Sequence, residues 1–276
     1  MASTVKYEVR SDDAVALVSL NRPDKMNALS GELIEELSDA IERADTDDDV
    51  RVVVITGAGE KAFSAGYDIQ TTGDREDPVP SVDELLDDFE ASTRHVHTVW
   101  ECNKPVIAAV NGYCLAGGSD LAMACDIVIA AEGASFGYPG LRMAGVPPTL
   151  IYPFVMNLHE VKELLLSGKV VDAERALELG MVNRVVPDDE LMDAVEGEVA
   201  ELRKMPGNNV RILKHVLNGV AEMQGARPMF KFSELFDSLG HHTEYGKEYY
   251  RIAESEGFDA AIEYMNERDK GMTPPE

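Results

Sequence analysis

The stretch PVIAAVNGYCLAGGSDLAMACDIVIAAEGASFGYPG, residues 105–140, decides the fold. It contains two short apolar runs rich in β-branched residues, at 105–110 and 126–131, and each run predicts a buried strand. Between them, Gly117 and Gly118 precede a run of helix formers. This order of strand, glycine turn, helix and strand predicts an α/β protein.

The glycine turn has the features of an anion-binding site. Ser119 and Asp120 follow the two glycines, and either can cap the helix. Glycine leaves backbone N–H groups accessible, and the helix dipole favours a negative charge beside them. A purely structural turn, which needs glycine only for its dihedral angles, is the alternative.

A second turn of small residues lies upstream. Residues 51–69, RVVVITGAGEKAFSAGYDI, begin with a predicted buried strand and continue into Ser64-Ala65-Gly66. Before that strand, residues 5–10 and 14–20 predict a hairpin, and Ser30 caps a predicted helix that reaches about residue 44. The two strands that flank this helix are expected to be parallel.

These segments together resemble the crotonase family, also called the enoyl-CoA hydratase/isomerase superfamily. The resemblance implies a crotonase-type spiral of ββα units with a C-terminal helical region that builds trimers or pairs of trimers. It covers most of the chain. The matching segments are NRPDKMNAL (21–29), KAFSAGYDI (61–69), KPVIAAVNGYCLAGGSDLAMACDIVIA (104–130), FGYP (136–139) and SGKVVDAERALELGMVNRVVP (167–187).

We expect a core with the CoA-thioester site at residues 1–195 and a C-terminal helical region at 196–276. A polar, proline-broken loop is predicted at 70–80, followed by an acidic helix that starts at Ser81. The sheet is expected to end with a short pairing at Ser135-Phe136. Helices are then predicted at 159–166, 172–179, 189–204, 208–220, 228–245 and 258–268.

The charge of the chain is strongly acidic. There are 51 Asp and Glu against 25 Lys and Arg among 276 residues, a net charge of −26. Such a surface repels phosphate backbones, so nucleic acid is not an expected partner. The acidic residues are spread over many segments, which predicts a protein adapted to a high-salt cytoplasm, where salt screens self-repulsion. An ordinary acidic soluble protein is the alternative.

No apolar run approaches the roughly 20 residues of a membrane span, and the N-terminus has no apolar signal core. A cytoplasmic protein without membrane contact is expected. The three cysteines are odd in number and lack metal spacing, so we interpret them as buried, reduced thiols. No metal and no cofactor are expected, since CoA is part of the substrate that the resemblance implies.

The resemblance implies chemistry on a CoA thioester. An enolate forms when two preorganised backbone N–H groups stabilise charge on the thioester oxygen, and losing one donor typically costs ~3 kcal/mol. Carried onto this sequence, the donors are the N–H groups of Ala65 and Gly117. The residues matched to substrate binding are Lys25, Met26, Lys61, Ala62, Ser64, Gly66, Tyr67, Asp68, Ile69, Gly118, Tyr138 and Gly140.

The catalytic carboxylates depart from the family pattern. Typical hydratases use two glutamates, whereas this chain has Asp120 at the first position and Gly140 at the second. The shorter side chain of Asp120 places its carboxylate about 1 Å further back, and a misplacement of that size can cost ~100-fold in rate. Asp120 is therefore predicted to act as the single acid/base, aided by the hydroxyl of Tyr67 or Tyr138.

Hydration of a 2-enoyl-CoA is the expected reaction. Isomerisation, decarboxylation or hydrolysis on the same oxyanion site is the alternative, and decarboxylation is favoured by the polar ring of Tyr67. A non-catalytic acyl-CoA-binding protein is a further alternative, because of Gly140. Gly57-Ala58-Gly59 fits a dinucleotide fingerprint but lacks the helix that should follow, and Ser64 lacks the first glycine of a nucleophile elbow.

Overall fold

The computed structural model describes residues 3–10, 12–68, 81–143, 145–257 and 259–264. Ile69, the predicted loop at 70–80 and the end of the last predicted helix lie outside these residues. In the described residues the chain forms ten strands. These are β1 Val5–Arg10, β2 Val15–Leu20, β3 Val52–Gly57, β4 Ala62–Ser64, β5 Val106–Val110, β6 Tyr113–Leu115, β7 Ile127–Ala131, β8 Ser135–Gly137, β9 Val170–Asp172 and β10 Arg184–Val186.

The described helices lie around and after the strands. They are α1 Gly31–Thr46, α2 Val82–Glu101, α3 Gly117–Ala124, α4 Tyr152–Val155, α5 Leu158–Ser167, α6 Ala173–Leu179, α7 Leu191–Arg203, α8 Gly207–Met223, α9 Ala226–His241 and α10 Glu244–Ser255. The predicted helix starts at Ser30 and Ser81 are confirmed: Ser30 caps α1, and Ser81 caps α2 in a capping box with Glu84. Gly180 closes α6 in the left-handed conformation.

The main sheet has the order β1-β2-β3-β5-β7-β10. The hairpin β1–β2 is antiparallel, and β2 and β3 are parallel across α1, as predicted. The other pairs of the sheet are parallel. Because carboxyl ends of parallel strands meet at one edge, the loops that follow β3 and β5 come together there.

Both faces of this sheet are covered. Val53 and Ile55 of β3 pack into one apolar cluster with α1, α2 and α3, whereas Val52 and Val54 pack into a second cluster with α7. The side-chain period of two places neighbours on opposite faces. A strand buried on both faces is apolar at every position, which explains the continuous apolar runs in the sequence.

A smaller sheet of order β4-β6-β8-β9 stands beside the main one. The prediction that strands end at Ser135-Phe136 is wrong, because β9 extends this small sheet and β10 extends the main one. Three-residue strands such as β4, β6, β9 and β10 show too little periodicity to stand out from loops.

Two further predictions about helices need correction. The single helix predicted at 228–245 is two helices, α9 and α10, and Thr243 caps the second. Neither Ser119 nor Asp120 is the N-cap of α3. The helix begins at Gly117, after Ala116, whose φ is +48°. Asp120 therefore lies within the first turn of the helix, near the positive end of the helix dipole.

The predicted division at residue 195 falls within α7, and it stays a prediction. Ala226 and Phe230 of α9 pack into the same apolar cluster as the main sheet. Among the described residues, no helix combines the length and the apolar composition needed to cross a lipid bilayer.

Candidate active site

The two glycine turns meet. A Cβ atom on Gly118 would lie 2.5 Å from the carbonyl oxygen of Ser64, and one on Gly66 would lie 2.7 Å from Cβ of Ala116. Contacts this short exclude any side chain, so glycine is required at both positions. Gly66 also has a φ of +100°, which favours glycine by itself. The turns after β4 and β6 thus pack backbone against backbone.

The loop 22–29 holds the first turn in place. Its buried Asn27 donates from Nδ2 to the carbonyl oxygens of Ala58, at 3.0 Å, and of Ala62, at 2.8 Å. The N–H of Ala65 donates to the carbonyl oxygen of Met26 at 3.0 Å. This bond engages the Ala65 amide that the sequence suggested as an oxyanion donor.

Two other amides of these turns are free among the described residues. Leu29 pairs with Tyr67 through a parallel bridge in which its N–H donates to Gly66 and its carbonyl oxygen accepts from Asp68. That pairing leaves the N–H of Tyr67 itself directed away from Leu29. The N–H of Gly117 is the first of α3 and has no cap. A Cβ on Gly66 would lie 3.4 Å from this nitrogen.

Asp120 is fully buried beside these amides. The pKa of its carboxyl is raised to about 7. Burial raises it most, hydrogen-bonding contacts with the hydroxyls of Tyr152 and Thr149 lower it, and the charge of Asp237 raises it. A buried carboxyl with a pKa near neutrality is suited to proton transfer.

Hydroxyl groups surround Asp120. The hydroxyls of Tyr67, Ser119, Thr149 and Tyr152 are buried, as are both ring nitrogens of His95. Tyr152 lies within interaction distance of Ser119 and Asp120, and Thr149 within interaction distance of Asp120. The rings of Tyr67 and His95 meet edge to face, with centroids 6.2 Å apart. Burial lowers the pKa of His95 to about 4, which keeps its imidazole neutral. Buried polar groups of this kind are suited to bind water or a polar ligand.

Tyr138 explains the absence of a second carboxylate at position 140. A Cβ on Gly140 would lie 2.6 Å from Cε1 of the Tyr138 ring, so any side chain at 140 would collide with it. The Tyr138 hydroxyl donates to the carbonyl oxygen of Val146 at 3.2 Å. Of the two tyrosines suggested from the sequence, Tyr67 therefore has the uncommitted hydroxyl.

Helix α9, in the C-terminal part of the chain, contacts the loop beside the site. Asp237 is 4% exposed and accepts from the N–H of Val146, and the buried hydroxyl of Ser233 donates to the carbonyl oxygen of Pro147. Glu234 accepts from the Thr93 hydroxyl of α2 at 2.9 Å. Helix α9 thus connects the loop before Thr149 with the helix that carries His95.

Comparison with known proteins decides the family. The family model for enoyl-CoA hydratase/isomerase matches residues 10–259. The chain belongs to this family. Its members in solved structures share the fold described above, so the predicted crotonase-type α/β fold is confirmed.

Three members illustrate the similarity. The "Probable enoyl-CoA hydratase" of Mycobacterium bovis is 32% identical over 92% of this chain and 94% of its own length. The carnitinyl-CoA dehydratase of Citrobacter koseri is 35% identical over 75% of this chain and 77% of its own. The enoyl-CoA hydratase/isomerase of Xanthobacter autotrophicus Py2 superposes with a TM-score of 0.90 at 33% identity, over 100% of both chains.

Several of the residues matched to substrate binding lie in or near the loop 22–29 of this family member. Lys25 and Met26 are exposed, and Lys61 is exposed at the start of β4. Asp68 forms an ion pair with Arg22 at 2.7 Å, with only 9% of its side chain exposed. Ala62, Ser64 and Gly118 are buried packing residues, and the Ser64 hydroxyl accepts from the N–H of Gly66 at 3.2 Å.

The competing motifs do not have the required context. After Gly57-Ala58-Gly59 the chain enters β4 instead of a helix, as predicted, so the dinucleotide fingerprint lacks its anion-binding helix. The three cysteines are buried and free.

Sequence reasoning missed four site residues: His95, Thr149, Tyr152 and Asp237. Each comes from a different segment, and none has a fixed spacing from Asp120. Tyr152, which follows Pro147-Pro148 and begins α4, belongs to no motif in the sequence. Only the folded chain brings these groups together.

Proposed function

We propose that this member of the family hydrates a 2-enoyl-CoA, with Asp120 as the acid/base. The observation that carries the proposal is the position of Asp120, fully buried in the first turn of α3 and three residues after a free amide. Its pKa of about 7 lets the carboxylate accept a proton from water and return it within one cycle.

The oxyanion donors in this proposal are the N–H groups of Tyr67 and Gly117. Tyr67 replaces Ala65, because the Ala65 amide donates to Met26. Both donors belong to turns held by backbone contacts, so they require little reorganisation when charge develops on the thioester oxygen. The dipole of α3 adds to the stabilisation at Gly117.

The reaction steps follow from these positions. Asp120 takes a proton from water, the oxygen of that water attacks the β-carbon, and the electron pair of the double bond moves to the thioester oxygen as an enolate. The enolate collapses as protonated Asp120 gives the proton to the α-carbon. The uncommitted Tyr67 hydroxyl lies near this carboxylate and can orient the water.

Exposed basic residues support binding of the CoA moiety. Lys25 lies in the loop 22–29 and Lys61 just before β4, in an otherwise acidic protein, and Met26 offers exposed apolar surface for the adenine ring. Point charges of this kind bind phosphates in a salt-dependent manner.

The test is turnover of crotonyl-CoA followed by loss of enoyl absorbance. We expect wild-type hydration and at least ~100-fold lower kcat for Asp120→Asn, because the amide cannot accept the proton. Asp193→Asn, on the exposed face of α7, is the matched control. Equal rates for wild type and Asp120→Asn would contradict the role of Asp120, and binding of CoA without turnover of any thioester would contradict the enzyme.

Dehydration of a 3-hydroxyacyl-CoA is the second candidate. Relatives named carnitinyl-CoA dehydratase support it, at 35% identity over 75% of the chain. The same groups serve in reverse, with Asp120 removing the α-proton first. Because a catalyst accelerates both directions, the two candidates are distinguished by substrate: a higher kcat/KM for carnitinyl-CoA than for 3-hydroxybutyryl-CoA, measured by formation of the enoyl product, supports the second.

We also propose that the chain is a homo-oligomer, a trimer or a pair of trimers, in the cytoplasm. Apolar side chains on one face of α8 are between 45% and 84% exposed in a single chain, which is typical of surfaces covered by another copy. These are Ile212, Leu213, Val216, Leu217, Val220 and Met223. Light scattering should give a multiple of the chain mass, and a monomer at micromolar concentration would contradict the proposal.

A further inference from the structure

We propose that Asp237 of α9 is a positioning residue of the acid/base site. It holds the loop 145–149 in place and supplies a second negative charge next to Asp120. The inference rests on the proposed function, since it gives Asp237 a part in the same proton transfer. Asp237 lies 117 positions after Asp120, in a segment that the sequence predicted only as helix.

Asp237 contacts the loop beside the site and one residue of its own helix. One carboxylate oxygen accepts from the N–H of Val146, and the other lies 3.5 Å from Nε2 of His241, one turn along α9. Its side chain is only 6% exposed. A buried carboxylate needs partners of this kind, because an unpaired one is costly.

The Val146 bond fixes more than one backbone amide. The carbonyl oxygen of Val146 accepts from the Tyr138 hydroxyl, so one peptide segment joins Asp237 to the ring that fills the space at Gly140. The adjacent Ser233 hydroxyl holds the carbonyl of Pro147. Two residues further, Thr149 faces Asp120. Helix α9 therefore sets the position of a hydroxyl beside the acid/base.

The charge of Asp237 acts on the same groups as that of Asp120. Burial is the largest cause of the raised pKa of Tyr67 and of Tyr138, and the charges of Asp120 and Asp237 raise both further. Asp237 also raises the pKa of Asp120. The titratable groups that face Asp120 from the surrounding elements are Tyr67, Cys114, Tyr138, Tyr152 and Asp237; those that face Asp237 are Tyr67, Tyr138, Asp120 and His241.

The Tyr138 ring leaves no room for a side chain at Gly140, and Asp237 is a buried carboxylate that acts on Asp120 from another element. Asp237 does not reach the substrate while bonded to Val146. Its role is to orient the loop and to keep Asp120 protonated to a higher pH.

Two variants of the full-length protein separate the two effects. Asp237→Asn retains an oxygen that can accept from Val146 but removes the charge, whereas Asp237→Ala removes both. Asp193→Asn, an exposed carboxylate on α7, is the control for loss of one charge at a distance. Each is assayed with crotonyl-CoA across pH 5–9, at constant high salt.

For Asp237→Asn we expect the rising limb of kcat/KM to move to lower pH by about one pH unit, because a nearby negative charge is lost. For Asp237→Ala we expect kcat to fall ~10- to 100-fold with little change in KM, because the loop is displaced. The control should match wild type in both. A superimposable pH profile for Asp237→Asn, or wild-type kcat for Asp237→Ala, overturns the proposal.

A readout besides activity keeps this test separate from the proposed reaction. The pKa of Asp120 is measured from ¹³C-labelled aspartate carboxyl resonances, assigned by their absence in Asp120→Asn. A lower pKa in Asp237→Asn supports the charge effect even if crotonyl-CoA is not turned over, and an unchanged pKa overturns it even if crotonyl-CoA is hydrated.

Discussion

At the scale of single residues, Gly117 is required by contact with a side chain. A Cβ there would lie 2.7 Å from Cε2 of the Tyr67 ring, next to both proposed oxyanion donors. We expect Gly117→Ala to lower kcat/KM ~100-fold, about the loss of one donor.

Gly197→Ala, in the exposed part of α7 where a Cβ meets nothing within 4 Å, should instead raise the free energy of unfolding by ~0.5–1 kcal/mol. Both variants are measured by steady-state kinetics and by urea denaturation. Equal kcat/KM for the two variants would contradict the close contact between Gly117 and the Tyr67 ring.

Asp120 also links stability to pH at this scale. The pKa of Asp120 is about 7 in the folded chain and 3.8 for an unperturbed Asp, which represents the unfolded chain. Between these pH values the folded state therefore binds more protons than the unfolded state. Stability therefore falls as pH rises from about 4 to 7. Asp120→Asn removes this loss, and we expect the inactive variant to unfold at a higher temperature than wild type at pH 8. The advantage, on the order of 3 kcal/mol, should disappear near pH 4. Equal unfolding temperatures of wild type and Asp120→Asn at pH 8 would contradict the burial of the charge.

At the scale of elements, Lys214 ties α8 to the main sheet. Its Nζ donates to Asp126 at 2.7 Å and to the carbonyl oxygen of Lys104 at 3.1 Å, while Asp126 also accepts from the N–H of Val106 at the start of β5. The Lys214 side chain is 8% exposed. We expect Lys214→Met to lower the free energy of unfolding by ~1–3 kcal/mol, because the partly exposed Asp126 carboxylate and the Lys104 carbonyl oxygen lose a charged donor. Lys169→Met, whose pair with Glu163 is exposed, should have little effect. Denaturant titration compares them, and equal losses would contradict the link.

At the scale of the whole molecule, the net charge of −26 dominates. Self-repulsion over the surface destabilises the compact state at low ionic strength and is screened at high ionic strength. We expect the unfolding temperature to rise steeply between 0.1 and 2 M KCl. Sucrose, an uncharged osmolyte, is the control and should stabilise the protein less. Equal stability in low and high KCl would contradict adaptation to salt.

Most of the elements could be predicted from local patterns, because long apolar runs and helix caps carry their own signal. The caps Ser30, Ser81 and Gly180 are examples. The four short strands and the break between α9 and α10 could not, since three residues show no period and a helix can continue through a polar cap residue. In the site, the positions of Gly117 and Asp120 followed from the glycine turn. The hydrogen bond from the Ala65 amide to Met26 could not be predicted, because it joins segments 39 positions apart.

The sequence by itself determined the family, the parallel sheet and the turn at residue 117, because apolar runs, the order of strands and helices, and residue types that only one conformation accepts are all visible in the sequence. The tertiary structure alone decided which backbone amides remain free, which hydroxyls face Asp120, and that a second buried carboxylate, Asp237, comes from the C-terminal helices. Those properties depend on packing between distant segments. A hydrogen bond or a desolvated charge exists only once such segments are in contact, and no local pattern records it.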